Sequence, residues 1–176
     1  MAKPKEVSDK MLWEGLTRAS ILSTTTHKLY RYIGLADQKA MGLIVLNSVI
    51  IPFAMNGIDN EEFTIAATVA ILTGIISIFM AIICIFPKRR FRGKADGGQN
   101  LLHFADIGCM SEEEYLDLIN PIYNDRSQLA QEVLKDIHDV SHRVLIPKFA
   151  LLKSAYIVFF IGNLAAVLSF LAPVWI

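Results

Sequence analysis

The sequence lacks the short motifs that identify the common nucleotide-binding and hydrolytic enzymes. It contains no G-x-x-x-x-G-K-[ST] phosphate-binding loop, no G-x-G-x-x-G fingerprint, no G-x-S-x-G nucleophile elbow and no paired-carboxylate pattern. A chain of 176 residues, of which 53% are hydrophobic, also leaves little room for a large catalytic domain. We therefore expect a protein that is not an enzyme and that carries no cofactor.

Cysteine is scarce, and a signal peptide is absent. Of the two cysteines, Cys84 falls in a long apolar run and Cys109 in a polar region, so no disulfide framework is expected and both should be reduced thiols. The first forty residues lack the continuous apolar core of a signal peptide. An internal apolar segment must therefore direct membrane insertion.

The most informative absence is that of ionisable side chains from Ile65 to Phe86. This segment contains no Asp, Glu, Lys, Arg or His. As a helix rising about 1.5 Å per residue, this segment reaches roughly 33 Å, enough to cross a hydrocarbon core of about 30 Å. Pro87 should end the helix, and a basic run follows at Lys88, Arg89, Arg90, Arg92 and Lys94. Because such residues concentrate on the cytoplasmic side, the segment is predicted to span the membrane and to exit there.

Two further apolar runs predict two more spans. Residues 40–57 are apolar apart from Asn47 and Ser48, although their length is near the lower limit for crossing. Residues 154–176 contain no ionisable side chain. The acidic connection at 58–64 lacks Lys and Arg, which favours an external position.

The predicted fold class is therefore an all-α membrane protein with three transmembrane helices, an internal N-terminus and an external C-terminus. Residues 40–86 form a transmembrane hairpin, whose spans lie at about 40–57 and 65–86. Residues 1–39 and 87–153 are cytoplasmic, and residues 154–176 form the third span. The second cytoplasmic region is thus a small helical domain inserted between spans 2 and 3.

Local signals predict the helices of these cytoplasmic regions. Residues 1–39 are predicted as two amphipathic pieces, because the β-branched run Thr24, Thr25 and Thr26 weakens a helix at its middle. Their apolar stripe is as suited to packing on the cytoplasmic domain as to lying on the lipid surface.

The second cytoplasmic region contains its own start and stop signals. Ser111 with Glu114 forms a capping box that starts a helix, Asn120-Pro121 interrupts it, and another helix opens near Asp125. Pro147 should kink the helix that leads into the third span, since its ring clashes with the carbonyl of Arg143.

Polar residues at or within the spans need partners. Asn47 should face another helix, either as a simple interhelical contact or as part of a pore or oligomer seam. Asp37 and Lys39 stand where the first span enters the membrane, and we expect them to pair with residues flanking the other spans, coupling the cytoplasmic domain to the hairpin.

His138 and His142 have a spacing that places both on one helix face, which a metal site can use. No Glu follows the first His, and His103 and Cys109 are the plausible further ligands. The simpler interpretation is that both histidines lie on a polar helix face and make ordinary hydrogen bonds, and we predict no metal. The basic run at residues 88–94 is expected near the same membrane level as Arg143, Lys148 and Lys153. Together they form either an electropositive collar that binds a phosphate or simple membrane anchors.

Five segments of the chain follow one another in a recognisable order. They are Asp37-Gln38-Lys39-Ala40 before a span with Asn47, the Phe86-Pro87 exit, Asn100–Asp106, Ser111–Tyr115 and Lys148-Phe149. Together they resemble one known family, the transmembrane effectors of bacterial Pycsar anti-phage systems, over roughly residues 30–172. The order and spacing of the segments, more than any single motif, make the likeness specific.

The resemblance implies a multi-pass effector of the bacterial inner membrane that is activated by a cyclic pyrimidine nucleotide, cUMP or cCMP, made by a partner cyclase. Activation would lead to oligomerisation, here as a homo-oligomer, and to loss of membrane integrity that aborts phage infection; no nucleic-acid partner is expected. We hypothesise a ligand region formed by Asn100, His103, Asp106, Arg143 and Lys148. The alternatives are a non-enzymatic scaffold that docks a cytosolic partner, and a metal-dependent hydrolase at His138 and His142.

Overall fold

The computed structural model describes residues 4–60, 63–86 and 100–172, and in these ranges the chain is helical with no strand. The elements are α1 (Pro4–Asn56), α2 (Thr64–Ile85), α3 (Phe104–Ile107), α4 (Glu112–Asn124), α5 (Arg126–Asp139), a π-helical segment (Val140–Leu145) and α6 (Ile146–Leu171). The all-α prediction is confirmed. The predicted helix stop at residue 87, the basic run after it and the last residues of the third span, 173–176, lie outside the described residues.

The chain divides into two compact units. The first takes its residues from Met1–Arg31 and Arg89–Arg143, and the second from Tyr32–Lys88 and Val144–Ile176. The second unit contains the apolar parts of α1, α2 and α6, and the first contains α3, α4 and α5.

Among the residues that the structure describes, three helices are long and apolar enough to cross a membrane, as the sequence predicts. They are Met11–Asn56, Thr64–Ile85 and the continuous helix Arg126–Leu171. The second span prediction, 65–86, differs from α2 by one residue at each end. Which ends face the cytoplasm, and hence the boundaries of the predicted cytoplasmic regions, stays a prediction.

The prediction of two helical pieces before the first span is wrong, because α1 is one helix of 53 residues. Thr25 and Thr26 lie in its middle, and their hydroxyls donate to the backbone carbonyls of Ile21 at 2.9 Å and Leu22 at 3.0 Å. A β-branched residue weakens a helix by only a few tenths of a kcal/mol. Three threonines in a row are therefore insufficient to end a helix that continues into an apolar span.

In the first unit, the predicted start of α4 is confirmed and its predicted interruption is wrong. Ser111 is the N-cap, and its hydroxyl accepts from the backbone N–H of Glu114 at 3.2 Å. The helix then passes through Pro121 and ends at Asn124. Pro121 and Asp117 are both exposed, so water can satisfy the Asp117 carbonyl that the proline leaves without an intrahelical donor.

Asp125 starts α5, as predicted. One carboxylate oxygen accepts from the backbone N–H groups of Ser127 at 2.8 Å and Gln128 at 3.3 Å. The bond from Ser127 and then that from Gln128 lower the pKa of the Asp125 carboxyl below its ordinary value of 3.8.

The disturbance expected at Pro147 takes a specific form. The backbone stays helical from Arg126 to Leu171, but the six residues Val140–Leu145 are π-helical. A π turn holds more residues than an α turn and pairs groups five residues apart. Because Pro147 has no backbone N–H, regular α-helical bonding must fail immediately before it, and the wider turn accommodates that failure.

Small side chains hold the helices of the second unit close together. On α2 the buried residues recur at alternating spacings of three and four, typical of a closely packed helix seam. They are Ala67, Ala70, Gly74, Ser77, Ala81 and Cys84. The partner surfaces include Leu152 and Ala155 of α6 and Ala36, Ala40 and Leu43 of α1.

Candidate functional site

An ion pair joins two of the apolar helices within the second unit. The ammonium Nζ of Lys148, at the start of α6, lies 2.5 Å from the Oδ1 atom of Asp37 in α1. The Lys148 side chain is 10% exposed and that of Asp37 is 29% exposed. Both charges are thus largely withdrawn from solvent, where each needs the other for compensation. The prediction that Asp37 pairs with a residue flanking another span is confirmed.

Two neutral hydrogen bonds also join the helices of the second unit. The thiol of Cys84 in α2 donates to the backbone carbonyl of Lys148, with Sγ and O 3.4 Å apart. The hydroxyl of Tyr156 in α6 donates to the backbone carbonyl of Lys39 at 3.1 Å. We call these five residues, Asp37, Lys39, Cys84, Lys148 and Tyr156, the entry cluster. Lys39 thus takes part through its backbone, not through its exposed side chain.

A second polar contact lies deeper in the same unit. The Asn47 side chain is fully buried, and its Nδ2 group donates to the carbonyl of Leu43 at 2.8 Å and approaches Ser77 Oγ at 3.4 Å. The Ser77 hydroxyl donates in turn to the carbonyl of Ala155 at 3.2 Å. The chain of contacts links α1, α2 and α6. The prediction that Asn47 faces another helix is confirmed, while a role in a pore or an oligomer seam stays a prediction.

In the first unit, Asn100 organises the loop before α3. Its backbone N–H donates to Asp106 Oδ2 at 2.9 Å, and its Oδ1 accepts from the backbone N–H of Leu102 at 3.0 Å. Its Nδ2 group donates to Oδ1 of Asp136 in α5 at 2.9 Å. Asn100 is 2% exposed and Asp136 is 7% exposed. The loop is thus fixed to α5 through a buried amide and a buried carboxylate, and Asp136 belongs to the site.

The proposed ligand residues divide between the two units. Asn100, His103 and Asp106 lie in one loop, where the His103 N–H donates to the Asn100 carbonyl at 3.1 Å. Arg143 is in the same unit and pairs with Asp139 at 3.6 Å on its own helix. Lys148 belongs to the second unit and to the entry cluster. Their common role as a ligand region stays a prediction.

His138 and His142 share a helix face as their spacing predicts, and their ring centroids are 5.9 Å apart. Among the residues that the structure describes, no group of three or more His, Cys, Asp or Glu is arranged to hold a metal ion. The predicted further ligands His103 and Cys109 therefore do not complete a site there. The two rings stack on a largely exposed surface, where the His138 side chain is 78% exposed.

A groove of about 300 Å³ lies at the other end of the second unit, near the turn between α1 and α2. Its lining includes Ala54, Phe63, Ala67, Asn163 and Phe170, and it is apolar except for the asparagine. The Nδ2 group of Asn163 already donates to the carbonyl of Phe159 at 2.7 Å. This groove has no cationic group for a phosphate, so it is a poor site for a nucleotide.

Two residues of these contacts could have been found from the sequence. Asp136 falls in the apolar row Leu129, Val133 and Val140, at the helical spacing that points into the fold. A carboxylate in such a row is expected to be buried and therefore to need a hydrogen-bond donor. Ser77 belongs to the row of small residues on α2. For Tyr156 and its contact with the Lys39 carbonyl, the sequence carries no comparable signal.

A family model, the Pycsar effector protein domain, matches residues 21–174 of the chain. The chain belongs to this family. No curated protein and no solved structure matches it. The Pycsar effector domain contains the entry cluster, Asn47 and the Asn100 loop, whereas the first residues of α1, up to position 20, precede it.

Membership of the Pycsar effector family fits the observed architecture. The family consists of effectors of the transmembrane type and is not an enzyme family. The three apolar helices agree with a membrane protein, and the family assigns the chain to antiviral defence. The resemblance read from Asp37–Ala40, Asn100–Asp106 and the other segments is therefore confirmed.

Proposed function

We propose that the protein is a membrane effector that a cyclic pyrimidine nucleotide activates and that then impairs the bacterial inner membrane, aborting phage infection. The observation that supports this most is the Pycsar effector domain extending over 21–174, a range that includes α1 from residue 21 onward and the other two apolar helices in full. In this proposal a partner cyclase supplies cUMP or cCMP. The protein acts as a homo-oligomer and has no catalytic step of its own.

We propose that the first unit binds the nucleotide and that the guanidinium of Arg143 contacts its phosphate. Asp106 and Asp136 repel a phosphate, but their carboxylates can accept hydrogen bonds from a ribose hydroxyl or a base N–H. The Arg143 side chain is 50% exposed although it pairs with Asp139, so its guanidinium can also reach a ligand from solvent. His103, which is half-buried in the same loop as Asn100, adds a neutral donor or acceptor.

Lys148 has a different part in the proposal. Its ammonium is largely buried and already faces the Asp37 carboxylate. A ligand phosphate would have to displace that carboxylate to reach it. We therefore place Lys148 in the response of the spans to the ligand and not in the first contact with it.

A liposome experiment tests the activity directly. Purified protein is reconstituted into vesicles loaded with a self-quenching dye, and cUMP, cCMP, cAMP or cGMP is added at saturating concentration. We expect dye release with cUMP or cCMP and not with the purine nucleotides. Absence of release with all four, from vesicles shown to contain inserted protein, would reject nucleotide activation and leave the scaffold alternative, for which pull-down of a nucleotide-independent partner is the test.

The ligand region is tested by binding. Arg143→Ala should weaken nucleotide binding at least about tenfold, since a charge-assisted hydrogen bond contributes roughly 1.5–3 kcal/mol. Arg126→Ala is the matched control, because Arg126 is an exposed arginine at the start of the same continuous helix. Equal affinities of the two variants, measured by calorimetry in detergent, would show that Arg143 does not contact the ligand.

A further inference from the structure

The Asp37–Lys148 ion pair differs from the other ion pairs described here in what it joins. Four others connect residues of one continuous helix: Glu14 with Arg18, Glu132 with Lys135, and Asp139 with both His138 and Arg143. Asp37 and Lys148 instead belong to α1 and α6, which are distant in the sequence. This pair therefore fixes the position of one apolar helix against another.

Burial makes this contact sensitive to separation. Lys148 keeps only a tenth of its side-chain exposure, and Asp37 less than a third. Exposed ion pairs contribute little, because water solvates the separated charges almost as well. Two charges at the entrance of an apolar bundle lack that compensation, so either they stay together or both must reach water. The pair is thus suited to distinguish two arrangements of the helices.

Three residues of the entry cluster lie close in sequence to the points where the chain passes from one unit to the other. The chain crosses from one unit to the other after residues 31, 88 and 143. Asp37, Cys84 and Lys148 each lie within about six residues of one of these crossings, and the Cys84 thiol contacts the Lys148 carbonyl. Any displacement transmitted along the backbone from the first unit therefore reaches these residues before it reaches the rest of the spans.

The helix is least regular directly before Lys148. The π-helical segment ends at Leu145, and Pro147 contributes no backbone donor. A displacement of α5 would concentrate in this stretch, because it is the part of the continuous helix that departs from α-helical bonding. Lys148 is the first charged side chain beyond it.

We infer that the Asp37–Lys148 ion pair is an autoinhibitory latch. In the resting protein it holds α1 to α6 at one end of the bundle, and in the active protein the two residues separate and the three spans repack. A signal can drive this change only by favouring the separated arrangement. The inference depends on the proposed function for the consequence of opening, membrane leakage, but not for the identity of the nucleotide.

The test is membrane leakage in cells that contain no nucleotide cyclase. Asp37→Asn keeps the size of the side chain and removes its charge, so leakage of a membrane-impermeant dye should rise about tenfold over the wild type. Lys153→Met, which removes an exposed lysine five residues further along α6, is the control and should leave leakage at the wild-type level. Leakage is normalised to protein in the membrane fraction.

Exchanging the charges of Asp37 and Lys148 distinguishes loss of the ion pair from poor folding of a variant. Asp37→Lys and Lys148→Asp should each leak, and the double variant Asp37→Lys/Lys148→Asp should return to the wild-type level because the pair is restored. The latch is rejected if the Asp37→Asn protein is inserted at the wild-type level and does not raise dye leakage. It is also rejected if the double variant causes as much leakage as the two single variants.

The two proposals fail in different ways. If the latch is wrong but nucleotide activation is right, wild-type vesicles release dye with cUMP or cCMP while Asp37→Asn vesicles without nucleotide do not. If nucleotide activation is wrong but the latch is right, Asp37→Asn vesicles release dye and wild-type vesicles ignore every nucleotide.

Discussion

The Nδ2 group of Asn100 donates to the Oδ1 atom of Asp136 at 2.9 Å, and both residues are almost completely buried. They are separated by 36 positions, so this bond fixes the loop before α3 to α5. Within the loop, the backbone N–H of Asn100 donates to the Asp106 carboxylate, and its side-chain oxygen accepts from the backbone N–H of Leu102. The attachment of the loop to α5 therefore depends on the amide side chain of Asn100.

Asn100→Ala should destabilise the first unit by about 1–3 kcal/mol, because it leaves a buried carboxylate without its donor. Hydrogen–deuterium exchange of residues 100–107 and of α5 measures the effect, and both should exchange faster. Asn124→Ala is the control, since Asn124 is exposed and bonds only locally, to the Asn120 carbonyl. Equal exchange in the two variants would show that the Asp136 contact does not hold the loop.

Asn47→Ala should destabilise the three-helix bundle by roughly 0.5–2 kcal/mol, because it removes an interhelical contact inside the membrane. The neighbour Ser48 offers a matched control. Its hydroxyl is exposed and donates to the Ile44 carbonyl of its own helix, so Ser48→Ala should change stability little. Unfolding in mixed detergent micelles, followed by circular dichroism, compares the two. A Ser48→Ala effect as large as that of Asn47→Ala would contradict the interhelical role.

Gly162→Ala should disrupt the packing of α6 against α2. A Cβ at this position would lie 2.3 Å from the Cβ and 2.2 Å from the Oγ1 of Thr73, which is impossible without movement of the helices. We expect a cost of about 1–3 kcal/mol, typical of overpacking. Thermal unfolding in detergent measures it, and Thr73→Gly in the same chain should restore part of the loss.

Gly42→Ala serves as the control for this substitution. A Cβ on Gly42 meets nothing within 4 Å, and alanine favours a helix over glycine by up to about 1 kcal/mol. The Gly42→Ala protein should therefore be as stable as the wild type or slightly more stable. If Gly162→Ala behaves in the same way, α2 and α6 do not approach as closely as described.

Asp125 gives the α4–α5 connection a dependence on pH. Because the pKa of its carboxyl is lower in the folded protein than its ordinary value of 3.8, its contribution to stability is complete above that value. The contribution is lost as the pH falls through the lower, folded pKa. Helical circular dichroism of the wild type should therefore decrease more between pH 4 and pH 2 than that of Asp125→Asn, which caps a helix without titrating. Identical acid profiles would contradict this role.

The sequence predicts the parts of this fold that depend on local physics. The uncharged run that became α2 is long enough to cross a membrane whatever its neighbours do, and the caps Ser111 and Asp125 bond within three residues of themselves. The predicted break of α1 at Thr25 is wrong because a β-branched residue weakens a helix by only a few tenths of a kcal/mol. The predicted break of α4 at Pro121 is wrong because water can satisfy the exposed Asp117 carbonyl that the proline leaves without a donor.

Contacts between distant segments are harder to predict. The sequence indicates that Asn47 and Asp37 need partners, and the structure supplies Ser77 and Lys148. The choice of partner depends on how the helices are aligned, which side-chain periodicity does not determine. Asp136 was missed because its burial becomes apparent only when its place in the apolar row of α5 is considered together with the Asn100 amide.

The π-helical segment accommodates about one residue more than an α-helix of the same number of turns. Each residue turns an α-helix by about 100°, so a return of Val140–Leu145 to α geometry would rotate α6 by about that angle relative to α5. If α5 kept its position, the row containing Lys148, Ala155 and Gly162 would then leave the seam, and a different row of α6 would replace it. A change of helix type in six residues would thus alter which face of the span is buried.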